Sequence, residues 1–153
     1  SIREAQVRSV SIAGISGQFD YPYGMTFTPN IKSYSMFRFG DSALYPYYDI
    51  AETDPDFASN IVTTTIGRSM FVNDVCITSG VNEYCKGSLA PNAITRLDIS
   101  FRRPEFRAIF YAQGYAGVQA NIESAKIKVG STQGAGVFVV KVSKLGQISV
   151  YKE

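Results

Sequence analysis

The chain opens with apolar and small residues at helical spacing. Ile2, Ala5, Ser9, Ile12 and Ala13 fall on one stripe, with Arg3, Glu4 and Arg8 off it, and Gly14 and Gly17 then end the pattern. Ser1 and Glu4 have the S-x-x-E spacing of a capping box, which would start the helix natively at Ser1. The abrupt onset equally suits a helix continuing from a stalk upstream. Beyond Gly17 the pattern alternates between apolar and polar, as on half-buried strands. Residues 23–28 alternate and turn at Pro29-Asn30, and residues 32–39 return at hairpin distance. The pattern dissolves over residues 41–59, which read as a long surface loop. Residues 60–66 form a strand, and 70–72 lead through another into Cys76. In the next strand Thr95, Leu97, Ile99 and Phe101 face inward and Arg96, Asp98 and Ser100 outward. Residues 106–111 follow the Arg103-Pro104 corner. Residues 118–129 are strand-like, but their apolar phase switches between Ile122 and Ala125, which a one-residue bulge would repair. Residues 137–142 and 148–151 make a closing hairpin across 144–147. The expected fold class is α+β, an N-terminal helix packed by its Ile12 stripe on antiparallel β-sheets, within a single domain spanning 1–153.

Composition agrees with one globular unit. A chain of 153 residues buries a core without needing metal or several staples. Ten Tyr and ten Phe with no Trp, beside many Val, Ile and Thr, favour pleated surfaces. A net charge of +2 does not by itself imply nucleic acid or an anionic membrane. No apolar run approaches the roughly 20 residues that cross a bilayer as a helix. With no histidine, every His-dependent triad or general base is excluded. No G-x-S-x-G, P-loop or G-x-G-x-x-G occurs, and Gly134-Ala135-Gly136 precedes a strand rather than the helix a phosphate cradle needs. Neither enzymatic activity nor a cofactor is expected.

Cys76 and Cys85 flank a polar stretch carrying the turn residues Ser79, Gly80 and Asn82. Zinc would need four ligands, and neither histidines nor further cysteines exist to supply them. A redox dithiol has two intervening residues, fewer than here. A structural disulfide closing a hairpin-like loop fits best and implies an oxidising compartment.

Three groups are candidates for binding. Asp41, Asp49, Glu52, Asp54 and Asp56 share the irregular stretch, where a hard cation would want several oxygens, but with incomplete ligand spacing a solvated loop is the better reading and no metal is expected. Tyr45, Tyr47 and Tyr48, with Tyr21 and Tyr23 nearby, offer an aromatic contact patch for a protein or carbohydrate partner. Lys141 and Lys144 are weak phosphate contacts among the scattered lysines of the last third, which also read as edge-strand lysines that discourage aggregation.

The ordered set of segments resembles the GspH/FimT-type minor pseudopilins, a family of type IV pilin-like proteins. Ile2-Arg3-Glu4-Ala5-Gln6 is similar to the end of their stem helix, and Tyr23-Gly24-Met25-Thr26-Phe27 to their first strand. Ser33-Tyr34 to Phe39-Gly40-Asp41 is similar to their second strand. Leu97 to Pro104 resembles their F-x-R-P strand end, and Val140 to Val150 their C-terminal hairpin. The resemblance covers nearly the whole chain, but the prepilin leader and the long apolar helix are not in this sequence. Residues 1–16 then correspond to the C-terminal half of the stem helix and 18–153 to a β-rich head. The resemblance implies a structural subunit of a type II secretion pseudopilus or a type IV pilus. Such a subunit acts in filament assembly or tip display, held by a single-pass inner-membrane anchor before release into a surface or periplasmic filament. Its partners would be other pilin or pseudopilin subunits and the inner-membrane assembly machinery. Two departures count. Family members with a cation site carry oxygen ligands after the second strand, where this chain has Ala43 and Tyr45. Family members that bind DNA carry G-R-x-R in the last hairpin, where this chain reads Gly146-Gln147-Ile148-Ser149, so DNA is an unlikely partner. A free-standing carbohydrate- or DNA-binding β module is the alternative.

Overall fold

The computed structural model describes residues 23–38, 62–67, 69–101, 107–134 and 136–153. Among the described residues ten strands follow in chain order: β1 Tyr23–Phe27, β2 Ser33–Arg38, β3 Val62–Thr65, β4 Met70–Ser79, β5 Asn82–Cys85, β6 Arg96–Phe101, β7 Ala108–Gln113, β8 Ser124–Ser131, β9 Val137–Ser143 and β10 Ile148–Lys152. A 3₁₀ turn, Gln119–Asn121, precedes β8. The strands form two five-stranded sheets in the orders β3-β2-β1-β6-β7 and β10-β9-β8-β4-β5, with every pairing antiparallel.

This corrects the expected fold class. Among the described residues there is no α-helix, and the architecture is two antiparallel sheets rather than an α+β arrangement of a helix on sheets. Alternating Val, Ile, Thr and aromatic residues dominate the described segments, and their period of two suits pleated strands. The stripe from Ile2 to Ala13, and with it the expected helix over 1–16, lies outside the described residues, as does the expected loop over 41–59.

The core lies between the sheets and draws on both. In the first sheet, Met25, Ile99 and Phe110 are cross-strand neighbours, as are Phe27, Leu97 and Ala112. In the second, Ile77, Ala125, Val142 and Ile148 form one row, and Val75, Ile127 and Val140 another. The sheets are also tied by backbone bonds at their margins. The N–H of Asn30 donates to the carbonyl of Val72 (2.6 Å), the N–H of Val72 to Ile31 (2.9 Å), and the N–H of Ala108 to Lys144 (3.0 Å).

Leu97, Ile99 and Phe101 point into this core as their alternation implies, but Thr95 precedes the strand and is exposed. Asp98 and Ser100, expected on a solvated face, are fully buried. The first sheet is thus buried on both faces along its central strands: Gly24, Thr26, Phe37, Asp98 and Ser100 occupy the face opposite the shared core. Polar groups survive there because they are paired. Thr26 Oγ1 donates to Asp98 Oδ1 (2.7 Å), while Arg96 donates through Nε to the same oxygen (3.1 Å) and through a terminal nitrogen to Oδ2 (3.0 Å). Among the described residues no buried side-chain nitrogen or oxygen lacks a partner. Gly24 is required by its neighbour. Its cross-strand partner is Phe37, and a methyl on Gly24 would lie 2.6 Å from Cζ of that ring and 3.1 Å from the carbonyl oxygen of Ile99.

The phase switch near Ile122 also has another cause. Residues 118–121 are a loop and the 3₁₀ turn, and Ile122 is buried before β8 begins, so no bulge is needed in β8. The irregularity is on the partner strand, where the register of β4 against β8 shifts between Val72 and Asp74.

Candidate interaction surface

A cluster of connections gathers beside the β4–β5 hairpin. Ser79 and Asn82 pair across a two-residue turn, and Gly80, with φ of 60°, takes its first central position, as in the II′ turn that suits right-twisted strands. Cys76 and Cys85 stand directly opposite at the other end of the pairing and form the disulfide expected from their spacing. The N–H of Cys85 is bonded outward to Ser88 Oγ (2.8 Å), and its carbonyl accepts from the N–H of Ile94 (3.1 Å). Cys76 and Cys85 are therefore a non-hydrogen-bonded pair, the kind in which facing side chains come closest.

The hairpin is braced by its neighbours. Glu123 N–H donates to Thr78 O (2.9 Å) and Ser79 Oγ to Asn121 O (3.3 Å), which holds the 3₁₀ segment against β4. Ala116 N–H donates to Asn92 Oδ1 (3.1 Å), and the rings of Tyr84 and Tyr115 stand 5.3 Å apart. Held on this frame are three apolar side chains that the solvent reaches: Val81 at 98%, Leu89 at 89% and Val118 at 63% of full exposure. Each is an apolar side chain that a braced connection holds in water, and so is available for contact with a partner. The signal in the sequence is a valine between Gly80 and Asn82, set in a stretch that is otherwise polar.

The predicted basic contacts do not converge. Lys141 lies on β9 beside Lys126 of β8, on the face of the second sheet away from the core. Lys144 sits in the β9–β10 turn, where its Nζ donates to Ala120 O (2.6 Å). On the same outer face Lys126 is paired with Glu83, and Lys128 with Glu153 (3.2 Å). The Glu83 carboxylate, first through its hydrogen bond, raises Lys126 above the usual lysine range. Lys126, Lys128 and Lys141 stand on β8 and β9, which lie inside the described sheet, and Lys144 in a turn, so the reading of these lysines as edge guards is corrected. Tyr45, Tyr47 and Tyr48, and the carboxylates from Asp41 to Asp56, lie outside the described residues. The one group of potential metal ligands among the described residues is Asp74 with Cys76 and Cys85, whose sulfurs are already bonded to each other.

Removing the disulfide should loosen the hairpin without abolishing the fold. With a sequence separation of 9, the chain-entropy model assigns the crosslink about 2.5 kcal/mol. The expected result for Cys76→Ala/Cys85→Ala is a loss of that size in urea unfolding; an unchanged midpoint would show that the crosslink adds nothing to the braced hairpin.

Comparison with family models, with curated proteins and with solved structures finds no match for this chain.

Proposed function

We propose that the chain is the globular head of a structural subunit, a minor pilin or pseudopilin, that works by docking to other subunits. The observation that carries this reading is the placement of the segments that resemble the family. Residues 23–27, 33–38 and 97–101 fall on β1, β2 and β6, three consecutive neighbours of one sheet, and residues 140–150 form the β9–β10 hairpin. Segments scattered over nearly the whole chain thus meet as one sheet and one hairpin, as parts of a shared fold would. The disulfide supports the reading because such heads are displayed in oxidising space. A braced loop cluster bearing Val81, Leu89 and Val118 supports it because a display protein needs contact area more than a cleft.

The test is made on the full-length gene. The expected outcome is that the segment upstream of Ser1 encodes a leader ending in glycine and a membrane-length apolar helix. Prepilin peptidase should cleave this product, and it should crosslink to other filament subunits in cells. An ordinary secretory signal, or a product that the peptidase leaves intact, would overturn the proposal.

A further inference from the structure

Among the described residues the two sheets end in four edge strands, and three of these edges differ from the fourth. The edge of β7 is capped at both ends: Ala112 N–H donates to Gln119 Oε1 (2.9 Å), Gln119 Nε2 donates back to Ala112 O (3.1 Å), and Ala108 N–H reaches Lys144 O. One glutamine side chain there mimics a neighbouring strand. The edge of β5 is only four residues long, and the outward groups of Cys85 are taken by Ser88 and Ile94. The edge of β3 is also four residues long and presents Thr63, Thr64 and Thr65. Short length and covered groups are the usual ways in which sheets avoid joining other sheets.

The edge at β10 has neither protection. The bonds from Ser143 N–H to Gln147 O (2.9 Å) and from Glu153 N–H to Val137 O (2.9 Å) fix which residues of this strand face β9. Alternation along the unbroken register then turns the N–H and C=O groups of Ile148, Val150 and Lys152 outward. Among the described residues nothing bonds to them. Beside them Val150 is 65% and Tyr151 43% exposed, and Phe138 on β9, the cross-strand partner of Lys152, is 40% exposed. Val150 and Phe138 lie on one face of the sheet and Tyr151 on the other, so exposed apolar side chains flank an open row of backbone donors and acceptors on both faces.

We infer that β10 is a strand-addition edge whose occupant is β10 of a second copy, paired antiparallel about a two-fold axis through Val150. In that register Val150 meets Val150, Ile148 meets Lys152 of the second copy, and every outward group of the three residues finds its complement. No like charges fall opposite one another: Lys152 faces Ile148 and Glu153 faces Gln147. A register sliding Lys152 onto Lys152 would oppose two ammonium groups and overlap only the strand ends. The pairing joins two five-stranded sheets into one continuous sheet and brings the exposed valines together at its axis. Self-complementarity in backbone, apolar contact and charge is what a two-fold contact demands. The inference rests on the edge alone and stands whether or not the chain is a filament subunit.

A single strand pair is a small contact, below the roughly 1,200 Å² of stable interfaces, so the dimer should be weak and concentration-dependent. The experiment is sedimentation equilibrium of the protein from micromolar concentrations up to about 1 mM. The wild-type chain should pass from monomer to dimer across that range. Val150→Pro removes an outward N–H without touching the bonds to β9, and Val150→Lys places two cations at the axis. Each should weaken association by about tenfold or more, with circular dichroism and melting temperature close to wild type; Val150→Lys keeps the test open if the proline variant misfolds. A wild-type protein that stays monomeric throughout overturns the inference, as does a dimer that both variants leave unchanged. A monomer that instead captures an unrelated strand peptide overturns the second copy as the occupant.

Discussion

Asp98→Ala should destabilise the protein by about 3–5 kcal/mol, the range for breaking a buried ion pair from one side. Asp98 is fully buried on β6, between Thr26 of β1 on one side and Tyr111 of β7 on the other. Its carboxylate accepts from the Thr26 hydroxyl and from two nitrogens of Arg96, whose guanidinium also lies over the Tyr111 ring at 5.8 Å. Alanine would take this acceptor from the buried Thr26 hydroxyl and this carboxylate from the largely buried Arg96 guanidinium, on strands at the centre of the sheet. Asp98→Asn keeps an acceptor for Thr26 but loses the charge pairing with Arg96, so its loss should be smaller. Urea unfolding of the three proteins, with the slopes compared to check that each unfolds in one step, measures both losses. A cost for alanine below about 1 kcal/mol would show that this carboxylate does not organise the face.

Phe37→Ala should cost a similar amount, about 3–5 kcal/mol, because a fully buried ring is deleted and its site can collapse only in part. Phe37 lies against Gly24, so the pair offers a sharper test than the single deletion. Gly24→Ala should itself cost about 1–3 kcal/mol by forcing the ring off its seat. In a Phe37→Leu background the same Gly24→Ala change should cost clearly less, since a smaller side chain can yield. Thermal and urea melts of the double-mutant cycle would expose that coupling. Equal costs in both backgrounds would place the strain on the Ile99 carbonyl instead of the ring.

These two residues also mark where the sequence was legible and where it was not. Alternation located β1, β2, β6, β9 and β10 and their hairpins closely, because a strand with one face in the core writes apolar residues at every second position. It named Leu97, Ile99 and Phe101 as core for the same reason. It failed on Asp98 and Ser100 because a polar residue at the alternate position has the same signature whether it meets water or a fixed partner. The pairing that settles the matter, Thr26 with Asp98, spans distant parts of the chain and depends on β1 and β6 being neighbours. The fold class failed for a different reason: the helical stripe was given weight as an architectural element, while every described element is a strand or a turn. At the candidate surface the disulfide was readable, since two cysteines without other ligands have few fates. The exposure of Val81, Leu89 and Val118 was not, because it depends on how each connection is held against its neighbours. The open edge at β10 depends on strand order, which periodicity does not encode.

The disulfide across β4 and β5 has a mechanical consequence. A subunit pulled through its chain carries tension along the shortest covalent path, and here that path runs through the Cys76 and Cys85 sulfurs instead of around the hairpin. The enclosed residues, with a sequence separation of 9 between the cysteines, would otherwise release roughly 30 Å of slack at about 3.4 Å each. With the crosslink intact that slack is withheld. The turn bearing Val81 then stays unloaded while force passes beneath it, so a contact made there keeps its shape under a pull that would unzip an uncrosslinked hairpin.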